Sequence, residues 1–403
     1  MKKVMIIGAG LLQMYVIKRA RELGYITVVV DGDKDAIGFK YADYYRIISI
    51  VNQEECLQYA KEMNIDGVLT AATDYGVLTA SYIARKMGLN GITYETAQLV
   101  KNKFEVRKKL FEQKLDDTPQ HFLVTDIKQL DTIENQIKYP VMVKPCDGSG
   151  SKAVNKAGTK LELQEACKKA VESSLTHKVL IETFILGHEY GVESFVYENE
   201  IYVLGIMEKI MTEPPYYAEL GHSISYLMDK KLEEKIKKVV KDTIKALKIN
   251  FGSVNMDILI TQKSEVFIVD IGARMGGNLI GSHIIPIATG IDYIGNIIKA
   301  SLNEKVDFTQ KCHNAVATRI MNFTPGVVEE LPDFSEYLKD RDVRDIICKL
   351  NIGDKVNLYK NNLDGCGYVV VSNPNIIIAK EKALNIKNEI NEKIKRIGTR
   401  YYV

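Results

Sequence analysis

Four short apolar runs near the start of the chain, alternating with amphipathic segments, constrain its fold more than any other feature. Lys3–Ile7 ends in Gly8-Ala9-Gly10, and Leu11–Leu23 then carries a helical pattern that Gly24 stops. Thr27–Val30, Ile47–Ile50 and Gly67–Thr70 are the next runs, with helical stretches at Gln53–Met63 and Val77–Met87. A strand that is apolar without alternation has both faces covered, as in a parallel sheet between two helical layers. Residues 1–95 are therefore expected to form a doubly wound, Rossmann-like α/β domain.

The chain has 403 residues, enough for two to three domains at about 150 residues each. A basic amphipathic helix, Asn102–Gln113, lies in a connector over 96–118, and Pro119 marks a boundary. Residues 119–184 read as strand, helix, strand, with a Gly/Ser loop at Asp147–Ser151. Period-two strands dominate 185–309, joined by a helix at Leu232–Leu247. Residues 310–403 read as a small α+β module, with strands near Val316–Ile320 and Gly367–Val371 and a closing helix Ala379–Arg396. Lys and Arg total 54 against 52 Asp and Glu, without the basic excess of a nucleic-acid binder. No clean apolar stretch of about 20 residues predicts a membrane span. The apolar run after Met1-Lys2-Lys3 holds Gly8, Gly10 and Gln13, which argues against a signal peptide. Cys56, Cys146, Cys167, Cys312, Cys348 and Cys366 include no C-x-x-C and read as reduced thiols, so a cytoplasmic location is expected.

Four constellations carry chemistry. Gly8-Ala9-Gly10, with Asp31 ending the next strand, has part of a dinucleotide fingerprint, but Gln13 stands at the third glycine. A tight strand–helix turn needs the same glycines. In Tyr139-Pro140-Val141-Met142-Val143-Lys144-Pro145, a lysine inside an apolar strand calls for an anionic partner, and Gly148, Ser149, Gly150 and Ser151 follow with open backbone N–H groups. A flexible turn beside a snorkelling lysine is the plain alternative. Third, Asn255–Thr261 and Val266–Asp270 read as a hairpin turning at Lys263-Ser264, which makes Asp257 and Asp270 direct cross-strand neighbours. Two facing carboxylates suit a hard cation such as Mg²⁺, with a solvated acidic pair or a slipped register as the alternative. Arg274 and the turn Gly276-Gly277-Asn278 follow as a second anion site. Fourth, Val179–Ile185 leads through Gly187 to Glu189 and Glu193, a linker able to face a base and a ribose or simply to connect strands.

In this order, with Asn102-Lys103-Phe104 before them, the motifs resemble the ATP-grasp superfamily. That resemblance implies ATP and Mg²⁺ (or Mn²⁺) as cofactors. It places Lys103 and Lys144 on phosphates and loop 147–151 over them. Glu182, Phe184 and Ile185 would line the adenine pocket, with Glu189 on ribose. Asp257 and Asp270 would hold metal, and Arg274 would stabilise the transferring phosphoryl group. Gly272 departs from the family, which usually has Asn there, and so removes one metal oxygen. The reaction implied is activation of a small carboxylate as an acylphosphate, captured by an amine with ADP released. Phosphoribosylglycinamide synthetase, amino-acid ligases and one half of the carbamoyl-phosphate synthase large subunit share the layout, although the synthetase signature R-F-G-D-P-E and the biotin carboxylase signature R-x-Q-V-E-H are absent. Candidate substrate residues are Gly10, Thr73, Asp74, His222, Gly276, Gly277, Asn278 and Arg319. The expected partners are a small carboxylate and an amine, with neither nucleic acid nor membrane, and a homodimer is compatible with the resemblance. An NAD(P)-dependent oxidoreductase using the Gly8–Gln13 turn, and a non-catalytic nucleotide sensor suggested by Gly272, are the competing readings.

Overall fold

The computed structural model describes residues 1–115, 118, 120–148 and 150–398. Pro119 and Ser149, assigned above to a boundary and to the phosphate loop, lie outside the described residues. The first four strands, β1 (Lys3–Ile7), β2 (Ile26–Asp31), β3 (Tyr44–Ile47) and β4 (Gly67–Thr70), form one parallel sheet in the order β3-β2-β1-β4. The central strand is fully buried from Val4 to Ile7, as an unalternating apolar run requires. The third strand lies three residues before the apolar run that signalled it. It is an exposed edge strand, while Ile48 turns inward after it.

Helix α1 (Leu11–Glu22) covers one face together with a helix from much later in the chain, Tyr293–Ser301. Helices α2 (Gln53–Met63) and α3 (Asp74–Met87) cover the other. Two further helices follow, α4 (Tyr94–Lys101) and α5 (Lys103–Glu112). Asn102 separates them, and its side chain accepts from the N–H groups of Phe104 and Glu105, so Lys103 becomes the first residue of a capped helix.

A four-stranded antiparallel sheet makes the lid: β5 (His121–Val124), β6 (Val141–Pro145), β7 (Asn155–Ala157) and β8 (Val179–Thr183), ordered β5-β8-β6-β7. Helix Lys160–Ser173 packs on it through Leu163, Ala166, Cys167 and Ala170. The largest sheet has eight strands. Five of them come from residues 188–272: β9 (His188–Tyr197), β10 (Glu200–Met211), β11 (Glu219–Ile224), β12 (Gly252–Ile260) and β13 (Val266–Gly272). Beyond these, β14 (Val316–Ile320), β15 (Gly326–Glu330), β16 (Val343–Cys348), β17 (Lys355–Val356), β18 (Gly367–Ser372) and β19 (Lys395–Ile397) complete the chain. The large sheet runs β13-β12-β9-β10-β11-β14-β18-β16, so it crosses the division expected at residue 310 without a break. Only β17, β15 and β19 form a separate small sheet. The closing helix spans Ile376–Lys393, and Lys395 and Arg396, expected to end it, belong to the strand Lys395–Ile397.

The hairpin β12–β13 pairs Asp257 with Asp270, as expected, but not through a two-residue turn. Residues 261–265 form the loop, and a bulge at Val269 shifts the register by one between Ile258↔Ile268 and Asp257↔Asp270. The longer turn and the bulge cancel, and the bulge re-aims the strand where the two acids meet. Among the described residues no helix is long and apolar enough to cross a membrane.

Candidate active site

Between the lid, the large sheet and the carboxyl edge of the first sheet lies a cleft of about 1060 Å³. Its lid side holds Gly148, Gly150, Ser151, Phe184 and Ile185. Lys156 stands 4.2 Å from the centre of the Phe184 ring. Lys144 also faces the cleft, but its ammonium is 2.6 Å from Glu182, which Arg107 holds from α5 at 2.8 Å. All three are buried. Burial alone would raise the Glu182 carboxyl; the Arg107 and Lys144 charges outweigh it and hold it down at about 2. Glu182 therefore lines the cleft as expected, with its carboxylate committed to two cations. Cys146 next door is a packing residue whose thiol burial pushes up to about 12.

The two metal-candidate acids each meet a lysine. Lys103 Nζ lies 2.5 Å from Asp270. Lys209, on β10, sits among Glu219 at 2.7 Å, Asp257 at 3.1 Å and Glu189 at 3.3 Å. Its own burial would lower its pKa; three carboxylates raise it well above the ordinary lysine value. Asp257 is pushed up to about 6 by burial and by Glu219, Glu189 and Asp270, against the pull of Lys209. Glu189, expected on a ribose, is thus one wall of this cage. Lys209 escaped the sequence reading although the signal that marked Lys144, a lysine in an apolar strand, is present in Val203–Met211. No group of three or more Asp, Glu, His or Cys among the described residues could hold a metal by itself. Two facing carboxylates could hold a divalent cation only with further oxygens supplied by a bound ligand.

Arg274 reaches across to Asp74 at the start of α3, with Nε to Oδ1 at 2.8 Å. Burial would raise the Asp74 carboxyl; Arg274, Lys101 and Lys103 hold it below the usual carboxylate range. Gly272 acquires a reason here. A Cβ at that position would lie 3.0 Å from Asp74 Oδ1 and 3.1 Å from Arg274 Cζ, so a side chain there would crowd the ion pair. Gly276 turns away from the cleft. Its N–H donates to the buried Glu193, and a Cβ there would meet Glu193 and Asn255 at 2.9 Å. Glu193 also accepts from Tyr293 and Asn255, and burial pushes it up to about 7 despite those donors.

The far end is closed by Lys349, Tyr359, Asn362 and Tyr368, none of which the sequence reading connected to the site. Asn278 donates to Glu219 and accepts from the Tyr368 hydroxyl at 3.1 Å. The Tyr359 hydroxyl donates to the Glu219 carbonyl, and Asn362 accepts from its N–H. Glu219 is drawn down to about 2 because Lys209 and His222 outweigh its burial. His222 lines the cleft, buried, with Nε2 4.0 Å from Glu219, and burial lowers it to about 4. Thr73, Asp74, Gly277 and Asn278 also lie on the wall.

Gly10, Gly276 and Arg319 do not line the cleft. Arg319 is one residue out of phase. His222 pairs with Thr318 across β11 and β14, so Arg319 points to the opposite face, towards Glu208 and helix Ile376–Lys393. The dinucleotide reading fails at Gly10. The Gln13 side chain folds back over the glycine turn, its Cγ 3.3 Å from a Cβ placed on Gly8 and its Oε1 3.0 Å from one on Gly10. Asp31 is occupied by the Ala9 and Asp33 N–H groups. The Gln13 amide donates to the Ala71 carbonyl, which holds it over the glycine turn.

The fold and the site are similar to those of ATP-grasp proteins. A model of the ATP-grasp domain family matches residues 137–282. Among solved structures, the L-amino acid ligase from Bacillus licheniformis superposes over 99% of this chain and 99% of its own, at a TM-score of 0.85 and 19% identity. Phosphoribosylglycinamide synthetase from Anaerococcus prevotii covers 98% of this chain and 99% of its own, at a TM-score of 0.76 and 25% identity. In sequence, the carbamoyl phosphate synthase large chain of Clostridium acetobutylicum is 24% identical over 314 residues, 72% of this chain but 28% of that protein. The chain spans less than two thirds of the length of the curated relatives it matches.

Proposed function

We propose that the protein is an ADP-forming ligase that joins a small carboxylate, such as an amino acid, to an amine through an acylphosphate. The observation that carries this reading is the Asp257–Asp270 pair, set between Lys103, Lys209 and Arg274 beside a glycine loop and Lys144. Lys103, Lys144 and the N–H groups of Gly148, Gly150 and Ser151 would bind the phosphates of ATP. Asp257 and Asp270 would hold Mg²⁺, whose charge would offset that of the phosphates. Arg274, oriented by Asp74, would stabilise charge on the phosphoryl group as it passes to the carboxylate. No covalent enzyme nucleophile is needed; positioning and charge neutralisation do the work.

The neutral His222 would stand beside the acceptor end as a hydrogen-bonding group. The purine-pathway synthetase likeness supports the same reaction class with a different amine. The test is an ADP-release screen of acid and amine pairs with Mg-ATP. Amine-dependent ADP release is expected, falling about a hundredfold or more in Asp270→Asn. Wild-type release in that variant would refute the metal assignment.

A further inference from the structure

Charge matching along the cleft wall leaves one cation at the end away from the lid without a counter-ion. Lys103 is paired with Asp270, Arg107 and Lys144 with Glu182, Lys209 with three acids and Arg274 with Asp74. Lys152 and Lys156 flank the glycine loop at the lid. Lys349, just after β16, also lines the cleft, and no carboxylate among the described residues pairs with it. Its ammonium donates to the Gly365 carbonyl at 3.2 Å and stands 5.1 Å from the centre of the Tyr368 ring. The residue is open to the cleft, yet the surrounding protein strips enough water from the ammonium to push its pKa down. From Tyr368 the contacts run through Asn278 to Glu219, so Lys349 sits one aromatic ring away from the charged centre. Asn362 and Leu363, which line the same cleft, are neutral.

We propose that Lys349 recognises a carboxylate on the amine substrate, so that the acceptor is an amino acid or another amine bearing a carboxylate besides its reacting nitrogen. The inference rests on the ligase reading. A partly desolvated ammonium with no acid beside it gains most from an incoming anion. A single ammonium brings one positive charge, which a carboxylate monoanion balances and a phosphate dianion exceeds, and this argues for a carboxylate. Tyr368 adds an apolar face against which the stem of such a substrate can lie.

The test fixes the acyl donor found by the ADP-release screen and compares acceptors in pairs that differ by one charge. Each amino acid is run against its own carboxamide, and phosphoethanolamine against ethanolamine. Wild type is expected to favour the acid over the amide by about ten- to a hundredfold in kcat/KM, expressed in KM, the range of one charge-assisted hydrogen bond. In Lys349→Met that ratio falls to about one, and Lys349→Arg restores most of it. Equal use of acid and amide by wild type, an unchanged ratio in Lys349→Met, or preference for the phosphorylated amine would each overturn the proposal. Calorimetric titration of the same pairs into protein loaded with Mg-ADP reads the ratio without turnover. Absence of ADP release with every pair would sink the ligase reading, whereas the titrations would still decide on Lys349.

Discussion

Replacing Glu182 by Gln removes the negative charge that, among the described residues, Arg107 and Lys144 share. Arg107, Lys144 and Glu182 are 6%, 8% and 5% exposed at their side chains, so solvent cannot take over its role. The structure supports two routes to the magnitude. Lowering the carboxyl from its ordinary 4.5 to about 2 is worth roughly 3 kcal/mol of folding stability. Removing one member of a buried ion pair costs about 3–5 kcal/mol in general. The expected loss is therefore about 3–5 kcal/mol at pH 7, largest in the lid strands β6 and β8. A depressed carboxyl stabilises the fold above its unfolded pKa and loses that contribution as pH falls through its folded value. The gap between wild type and Glu182→Gln should thus stay level from pH 8 to pH 5 and narrow below about pH 4.5. Urea unfolding followed by circular dichroism gives the global loss, and hydrogen exchange at the β6 and β8 amides localises it. A loss below about 1 kcal/mol at pH 7 would show that the three charges do not compensate one another in a water-poor site.

Glu193 has the opposite sign. Burial raises its carboxyl to about 7, so its contribution is complete below pH 4.5 and lost as pH rises through 7. Wild type should lose up to about 3 kcal/mol relative to Glu193→Gln across that window, and parallel urea midpoints for the two would contradict this. Lys209→Met leaves Glu189, Glu219 and Asp257 facing each other, an expected cost of about 3–5 kcal/mol that added Mg²⁺ should partly restore. A melting shift with Mg²⁺ no larger than that of wild type would count against it. Gly272→Ala should cost about 1–3 kcal/mol by crowding the Asp74–Arg274 pair, and much less in an Asp74→Ala background. A double-mutant cycle with no coupling would remove the steric argument.

Features that depend on local chemistry were legible in the chain. The first sheet announces itself because buried parallel strands leave no polar alternation, and Lys144 was found because a charge in an apolar strand demands a partner. Asp257 and Asp270 were paired correctly through a wrong turn, since loop length and bulge are set by backbone conformation that hydropathy does not encode. Arg319 was misplaced because the face it occupies depends on pairing through β11, β14 and β18, a parity fixed only in three dimensions. The closing role of Lys349, Asn362 and Tyr368 was equally invisible. The large sheet brings residues about a hundred positions apart onto one wall, and nothing in the spacing of residues 349–368 marks that destination. Gln13 shows the converse: a partial glycine fingerprint described the backbone turn well and its contents wrongly.

The Asp74–Arg274 pair has a consequence for how this protein can change. The counter-ion of the arginine belongs to the first hundred residues, and the gap that admits it is the missing side chain at Gly272. Positions 74 and 272 therefore form a lock and a keyhole, and a bulkier residue at 272 would crowd the pair unless position 74 changed with it. Splitting the chain after residue 95 would leave each piece with half of that lock. Co-expressed halves should regain a complete arginine site only when they reassemble, which makes this contact a natural reporter of their complementation.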